Sequence, residues 1–391
     1  MLGSKINQQD TLGTAARYDN PQGKKWFNSR VGRKIYIEPV ALTYIQNLNG
    51  YDEHQVCKGI EDLARVPAPM DGLVNKQNPA FFKAKEASAT VFNFLIKYSL
   101  TSEAIIVSRV SLDRVVLGAK LNGVGERQSL YSVRKRNSAA SFSASSSFDD
   151  IEELGRVWET GPAVTKVKTP HAAVNGMLND LTKASWLMGV HAEAAYSADK
   201  IDDYTLFHNP TDGGRSDFLE SVKDNLGSTT PLAEHLAAIL LDVQQSGEPV
   251  KWVVHSQGGI IFKQAVAHHL KHYPNHSLNK NSVVFHAGGN NKKKTNDLLG
   301  RAGIRKESQD NDNPFDMVSN LAGGNDLSPS SVRRSLQFAG KVIGSEGAGP
   351  AESPHTLPFI SLEAYHGFLV MAKDYKSAAR VQRYMDKHTA K

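Results

Sequence analysis

The chain of 391 residues contains a single cysteine, Cys57, so no disulfide can form within it. This suits folding in a reducing compartment, and we expect Cys57 to be a packing residue. No run of about 18 apolar residues occurs, because Lys, Asn or His interrupts the most apolar stretches, and no membrane-spanning helix is predicted. The N-terminus also lacks the apolar centre of a secretory signal. We therefore expect a cytoplasmic product, with any secretion following a route that needs no signal peptide.

Metal-binding and nucleotide-binding patterns are missing as well. His268, His269 and His272 crowd one end of a helix without an acidic partner, which is not the pattern of a metal site. Gly288 and Gly289 follow a β-like run but lack the Gly-Lys-Ser/Thr ending of a phosphate-binding loop. The sequence thus predicts chemistry that uses side chains alone, with no metal and no cofactor.

What the chain does have is apolar residues sufficient for a core and a modest basic excess. The hydrophobic content is 40% and the formal net charge is +6. A charge excess of this size favours contact with an anionic surface, either phospholipid or nucleic acid, while most of the charges are expected to be solvated.

The first part of the chain, residues 1–150, shows no sustained period that assigns it a role; we expect a cap or a delivery region. Within it, residues 79–100 are predicted to form a helix, and the β-branched segments 104–110 and 113–116 are predicted to be extended. Residues 138–147 are almost wholly Ser, Ala and Phe, which indicates a linker. We therefore place the domain boundary near residue 150.

The second part, residues 151–391, alternates between β-like and helical segments. Predicted strands cover 172–174, 203–208, 250–255, 282–285, 303–306 and 335–343, and predicted helices cover 178–195, 230–245 and 362–375. This alternation predicts an α/β domain with a mostly parallel sheet covered by helices on both faces. Reactive groups in such sheets gather at the carboxyl ends of the strands.

One strand ends in a motif that carries chemistry. Residues 250–259 read Val-Lys-Trp-Val-Val-His-Ser-Gln-Gly-Gly, and apolar residues at helical spacing follow. This predicts a nucleophile elbow of the G-x-S-x-G type centred on Ser256, although Val254 stands where the pattern has its first glycine. We expect a roomier seat beneath this turn to accommodate Val254.

A serine nucleophile needs a histidine to take its proton and a carboxylate to orient that histidine. In the fold that carries an elbow of this type, the acid and then the histidine follow the serine along the chain. Histidine candidates are His286, which precedes the acids, His355, which lies between the last predicted strand and helix, and His366 inside that helix. We favour His355. The acid candidates beyond the serine are Asp297, Asp310, Asp312, Asp316 and Asp326.

The developing oxyanion needs two N–H donors. Gln257, directly after the nucleophile, is predicted to supply one, and Met177, in the loop after strand 172–174, the other. Asn175 and Gly176 in that loop are expected to line the substrate pocket; the alternative is a plain strand-to-helix turn. Residues predicted to lie against substrate as well are His208 and His255.

Residues 166–391 resemble the α/β-hydrolase fold, and within it the lipases and phospholipases, most of all the lipase effectors that bacteria inject into competitors. The motifs that carry the resemblance are Asn175-Gly176-Met177, His255-Ser256-Gln257-Gly258-Gly259, Phe315-Asp316-Met317-Val318 and a histidine near the C-terminus. The acid motif is similar to the Asp-x-Val-Pro-x-Leu segment of many lipases, with Ser319 in place of the proline. The resemblance implies that Asp316 completes a triad with Ser256 and His355.

The resemblance further implies hydrolysis of lipid or phospholipid esters through an acyl-enzyme, peripheral membrane contact, and a secretion-system or immunity partner; nucleic acid is not expected. Two alternatives stay open. The same triad serves a non-lipid ester, a thioester or a peptide, or the fold is a non-catalytic binding module, an alternative prompted by Val254 and by the unassigned N-terminal region.

Overall fold

The structure is a computed structural model that describes residues 18–19, 25–27, 32–65, 86–100, 104–118, 126–136, 153, 156–177, 179–210, 229–308, 311–343 and 353–389. The chain forms two compact units, Met1–Ala119 and Lys120–Lys391. The boundary therefore lies about thirty residues before the predicted one, because a strand at Ser129–Lys135 pairs within the sheet of the larger unit. The predicted linker at 138–147 falls outside the described residues.

The smaller unit combines a mixed sheet with helices. Its elements are β1 (Tyr18–Asp19), β2 (Lys25–Trp26), β3 (Lys34–Ile37), α1 (Pro39–Gln46), α2 (Gly50–Arg65), β4 (Glu86–Val91), β5 (Phe94–Leu100), β6 (Ala104–Leu112) and α3 (Arg114–Gly118). The described strands of the sheet follow the order β3-β6-β5-β4, in which β3 and β6 are parallel and the other pairs antiparallel. Cys57 is fully buried in the core beneath this sheet, the packing position expected for it.

Two local predictions for the smaller unit are wrong. Residues 86–100 of the predicted helix form the hairpin of β4 and β5, because Phe94, Ile96 and Tyr98 alternate toward the core with a period of two. The predicted extended segment 113–116 opens helix α3 instead, since the Asp113 carboxylate accepts from the first free N–H groups of that helix.

The larger unit contains a sheet of seven described strands in the order β13-β12-β11-β9-β10-β7-β8. The strands from β13 to β10 run parallel, and β7 and β8 are antiparallel additions at one edge. The strands are β7 (Ser129–Lys135), β8 (Trp158–Val164), β9 (His171–Val174), β10 (Asp203–His208), β11 (Val250–His255), β12 (Asn281–His286) and β13 (Arg305–Lys306). The predicted α/β class with a mostly parallel sheet is confirmed.

Helices flank both faces of this sheet. They are α4 (Leu181–Ala195), α5 (Pro231–Ser246), α6 (Gln257–His272), α7 (Lys292–Ala302), α8 (Pro329–Ile343), α9 (Leu362–Met371) and α10 (Tyr375–Thr389), with a π-helical turn at Val318–Ala322. Phe207 points into the core under α5, α6 and α7, whereas Tyr204, on the opposite face of β10, donates to a carbonyl of α4. None of the described helices combines the length and the apolar character needed to cross a bilayer.

The strand predicted at 335–343 is wrong, because these residues form the second half of α8. Ser335 and Phe338 are buried at helical spacing, and the Ser328 side chain accepts from Ser331 N at the start of the helix. The β-formers Val342 and Ile343 at the end of this segment favoured the extended interpretation. The N-terminal cap and the buried residues at helical spacing stabilise a helix instead.

Candidate active site

Ser256 lies at the turn between β11 and α6, with φ 56° and ψ −125°. A positive φ is costly for a residue with a Cβ and persists only where the surroundings enforce it. Here the Ser256 carbonyl accepts from Gly259 N at 3.1 Å and from Gly289 N at 3.0 Å. The strand, turn and helix predicted around Ser256 are confirmed, and the turn holds the serine at the carboxyl end of a central strand.

Val254 and Gly258 show how the turn is packed. Val254 is fully buried and joins the main core, where it lies beside Val174 of β9 and Phe285 of β12. A Cβ on Gly258 would come within 2.5 Å of the Val174 carbonyl oxygen, so α6 approaches β9 too closely for any other residue. The Val254 side chain beneath the turn is thus accommodated by packing in the main core.

The loop after β9 lies against the nucleophile. A Cβ added to Gly176 would stand 2.5 Å from Ser256 Cβ and 3.0 Å from its Oγ, which requires glycine at this position. Within the described ranges, neither Met177 N nor Gln257 N has a hydrogen-bond acceptor. The described residues therefore leave both N–H groups available to donate to an oxyanion.

Side-chain amides connect the two predicted oxyanion donors. The Asn175 amide donates to Gly176 O at 2.9 Å and to Asn209 O at 3.0 Å, and its oxygen accepts from Asn209 N at 2.8 Å. The Asn209 side chain then donates to Gln257 Oε1 at 2.8 Å. Asn175 is fully buried and engaged in this network, so it positions the loop and does not face substrate, in contrast to the expectation.

The predicted acid and base meet. His355 Nδ1 lies 2.7 Å from Asp316 Oδ2, and Asp316 is fully buried, with its Oδ1 accepting from Val318 N at 2.9 Å. A carboxylate only accepts, so this bond places a hydrogen on Nδ1, and in a neutral imidazole the lone pair is then on Nε2. This is the tautomer that a general base requires.

The loops that carry the acid and the base are tied together by Asn313, which the sequence analysis did not single out. Its side chain donates to Phe359 O at 2.7 Å in the base loop and accepts from Phe315 N at 2.9 Å in the acid loop. Its local sequence, Asn-Pro-Phe-Asp, indicates a turn, but nothing in it indicates the partner 46 residues away.

The competing candidates lie elsewhere. Asp312 forms an ion pair with Lys292, Asp326 lies 3.5 Å from Arg334, and Asp297 lies 3.7 Å from Arg301. Asp310 falls outside the described residues. His366 sits within α9, beside the buried Tyr365, and His286 ends β12.

His286 belongs to a buried histidine cluster that extends to the base. His191 Nδ1 lies 2.9 Å from His286 Nδ1; the His191 and His255 rings are 4.5 Å apart, and the His255 and His355 rings 4.8 Å apart. Burial lowers the pKa of His191 and His255 well below the ordinary value and that of His286 to about 4. These three side chains are therefore uncharged at neutral pH. His255 was expected to bind substrate, but it is buried within this cluster.

His208 is also buried and does not reach the surface of a pocket. Its Nε2 lies 2.7 Å from Glu126 Oε2, and the same carboxylate accepts from Leu181 N, the first residue of α4, at 2.9 Å. Glu126 thereby joins β10 to the helix that follows the Gly176 loop. The expected substrate contact of His208 is replaced by this anchoring role, and Glu126 itself lies in a stretch without a sequence signal.

Ser256 is linked to His355 through the preceding residue, His255, and has no direct hydrogen bond to it. Among the described residues no hydrogen bond involves Ser256 Oγ, while His255, the preceding residue, lies 3.0 Å through its Nε2 from His355 O. The hydrogen bond between a catalytic serine and its histidine base is commonly long in ligand-free enzymes and shortens when substrate binds. In the same described part of the chain, no group of three or more His, Cys, Asp or Glu side chains could hold a metal ion.

No protein-family model matches this chain, and comparisons with curated proteins and with solved structures give no match either.

Proposed function

We propose that this protein is a serine hydrolase that cleaves acyl esters, with lipids or phospholipids as its substrate class. The observation that carries the proposal is the buried Asp316–His355 hydrogen bond, 2.7 Å long, which His255 joins to a serine held at positive φ between a strand and a helix. The combination matters because serine is a weak nucleophile at neutral pH unless an oriented base takes its proton.

The proposed reaction has two halves. Ser256 Oγ attacks the ester carbonyl carbon while His355 Nε2 takes the hydroxyl proton, and the oxyanion accepts from Met177 N and Gln257 N. His355 then gives the proton to the departing alcohol, which leaves an acyl-serine. Water, deprotonated by the same Nε2, attacks the acyl-serine; His355 then returns the proton to Ser256 Oγ as the acid is released, and the protein is back in its starting state.

The lipid preference is supported by the surface of the C-terminal helices. Five of the seven exposed large apolar side chains of the described residues lie in α8, α9 and α10 or directly before them: Leu327, Leu336, Val370, Met371 and Tyr375. Basic residues stand nearby, among them the exposed Arg333 and Lys373. Apolar side chains with adjacent positive charge suit the surface of an anionic bilayer. Delivery into competing bacteria, with an immunity partner, is the finer part of the proposal and rests on the resemblance alone.

The first experiment is labelling with a fluorophosphonate probe. We expect the wild-type protein to be labelled and Ser256→Ala to lose labelling entirely, since the probe forms its bond with an activated serine. Ser282→Ala, at the opposite end of the neighbouring strand, is the matched control and should label like the wild type. Wild-type labelling no stronger than that of Ser256→Ala would favour the binding module instead.

A second experiment addresses substrate class. Hydrolysis of anionic phospholipid vesicles is compared with hydrolysis of a short p-nitrophenyl ester, both with Ser256→Ala as the blank. We expect turnover of both, with a higher kcat/KM for the vesicles. Rapid cleavage of the short ester together with no release of fatty acid would contradict the lipid assignment while leaving the serine hydrolase intact.

A further inference from the structure

His255 does more than precede the nucleophile. We infer that His255 is a positioning residue for the base: its ring nitrogen holds the backbone of His355 and thereby sets the distance between the imidazole and Ser256. The inference rests on the proposed function, since it assigns a task within the same reaction.

The contact between the two histidines has a defined direction. His255 Nε2 lies 3.0 Å from the His355 carbonyl oxygen, and a carbonyl oxygen only accepts, so Nε2–H is the donor. The two rings also stack, with centroids 4.8 Å apart and planes tilted by 42°. Because His255 and Ser256 are consecutive, this bond attaches the base loop to the nucleophile turn itself.

His255 is held rigidly from its other side. Its ring packs on His191 of α4 at a centroid distance of 4.5 Å, and His191 is bonded to His286 at the end of β12. The titratable groups that face His255 are His191, His286, His355 and Lys183, and burial keeps His255 itself uncharged. A neutral, immobile ring can therefore fix His355 without competing for the proton that His355 transfers.

Besides the local bond from His355 N to Ser353 Oγ at 3.2 Å, two bonds from outside its own loop fix the base at two points. Asp316 holds the His355 side chain through Nδ1, and His255 holds its main chain through the carbonyl oxygen. If the second bond is lost, the ring can still form the first, but Asp316 lies on a different loop from Ser256. The position of Nε2 relative to Ser256 Oγ would then be less well defined, and a shift of about 1 Å can cost on the order of 10²-fold in rate.

The test uses three variants of the full-length protein. His255→Phe keeps a ring of similar size without the donor, and His255→Gln keeps an amide donor without the ring. His269→Phe is the matched control, because His269 is also buried and its Nε2 lies 2.7 Å from a backbone carbonyl, that of His276. Steady-state hydrolysis of a p-nitrophenyl ester, the fluorophosphonate labelling rate and thermal unfolding are measured for each.

We expect His255→Phe to lower kcat by about 10²-fold with KM nearly unchanged, because His255 does not reach substrate. His255→Gln should regain at least about a tenth of the wild-type kcat through its amide donor. His269→Phe should lower the unfolding temperature as His255→Phe does but keep the wild-type kcat. If His255 had only a structural role, His255→Phe and His269→Phe would lower the unfolding temperature alike and would not differ in kcat.

A folded His255→Phe with wild-type kcat and labelling rate would overturn the inference. If His255→Phe does not fold, His255→Asn replaces it: its shorter amide does not reach the carbonyl, and a kcat equal to that of His255→Gln would likewise overturn the inference. Failure of the proposed function is distinct, because the wild-type protein itself would then show no labelling.

Discussion

On one side of Ser256, the Gly176 loop is held by hydrogen bonds among neighbouring strand ends: Asn175 to Asn209, and Asn209 to Gln257. On the other side, Asp316 and His355 come from two segments farther along the chain, which Asn313 ties together, and His255 bonds the His355 segment to the turn that holds Ser256. The proposed oxyanion side is thus built at the ends of sheet strands, whereas the proposed proton-transfer side is assembled from segments distant in the chain.

This difference indicates which side depends on single contacts. A donor presented by the sheet edge is supported by the ladder of β9, β10 and β11, so losing one side-chain amide shifts it only in part. The proposed base has no such ladder: Asp316 holds its side chain, and its main chain is bonded to His255 and to Ser353 of its own loop. We therefore expect variants on the proton-transfer side to lose more activity than variants on the oxyanion side.

The largest effect is expected for Asp316→Asn. The amide can donate to His355 Nδ1 and so favours the tautomer in which Nε2 carries the hydrogen and cannot act as a base; kcat should fall by about 10⁴-fold. Asp312→Asn, in the same loop but paired with Lys292, is the control and should retain kcat near that of the wild type. A loss below about tenfold for Asp316→Asn would show that another carboxylate orients the base.

An intermediate effect is expected for Asn209→Ala on the oxyanion side. Without the bond to Gln257 Oε1, both proposed donors keep their places in the sheet edge but lose their cross-connection, so kcat should fall by about tenfold, less than for removal of a donor. Asn279→Ala removes a comparable amide bond, to Gln244 on the exposed surface, and should leave kcat unchanged. A loss larger than that of Asp316→Asn would reverse the comparison of the two sides.

The smallest effect concerns stability and not activity. Burial lowers the pKa of His286 to about 4, while in the unfolded chain a histidine titrates near its ordinary value of about 6.5. Between these pH values the unfolded state binds a proton that the folded state does not, so folding stability falls as the pH falls, by up to about 1.4 kcal/mol per pH unit for each such histidine. His286→Gln removes one of these contributions.

Urea unfolding of the wild type and of His286→Gln at pH 7, 6 and 5 checks this expectation. The free energy of unfolding should decline less steeply with acidification in the variant. His276→Gln, an exposed histidine, should decline like the wild type. Equal slopes for all three proteins would mean that His286 is charged in the folded state or does not titrate separately from its neighbours.

Much of the fold could be predicted from local patterns. Strand 203–208 follows from its Tyr, Thr and Phe residues, and the helix capped by Thr230 follows from that cap and a proline in the first turn. The hairpin at 86–100 and the helix at 329–343 could not be predicted in this way. Each contains short apolar segments that fit both the helical and the strand period, and packing against the core decides between the two. The position of the unit boundary depended on which sheet Ser129–Lys135 joins, and strand pairing is not a local property.

By itself the sequence determined the turn at Ser256 and the glycine at position 176, because a strand, a small nucleophile and closely spaced glycines are local features. Only the tertiary structure decided that Asp316 and His355 meet, since several acids and histidines satisfy the same chain order. It also decided that His208 and His255 are buried and hold other groups in place. Burial and long-range hydrogen bonds depend on which segments pack together, and the local sequence around a residue does not indicate this.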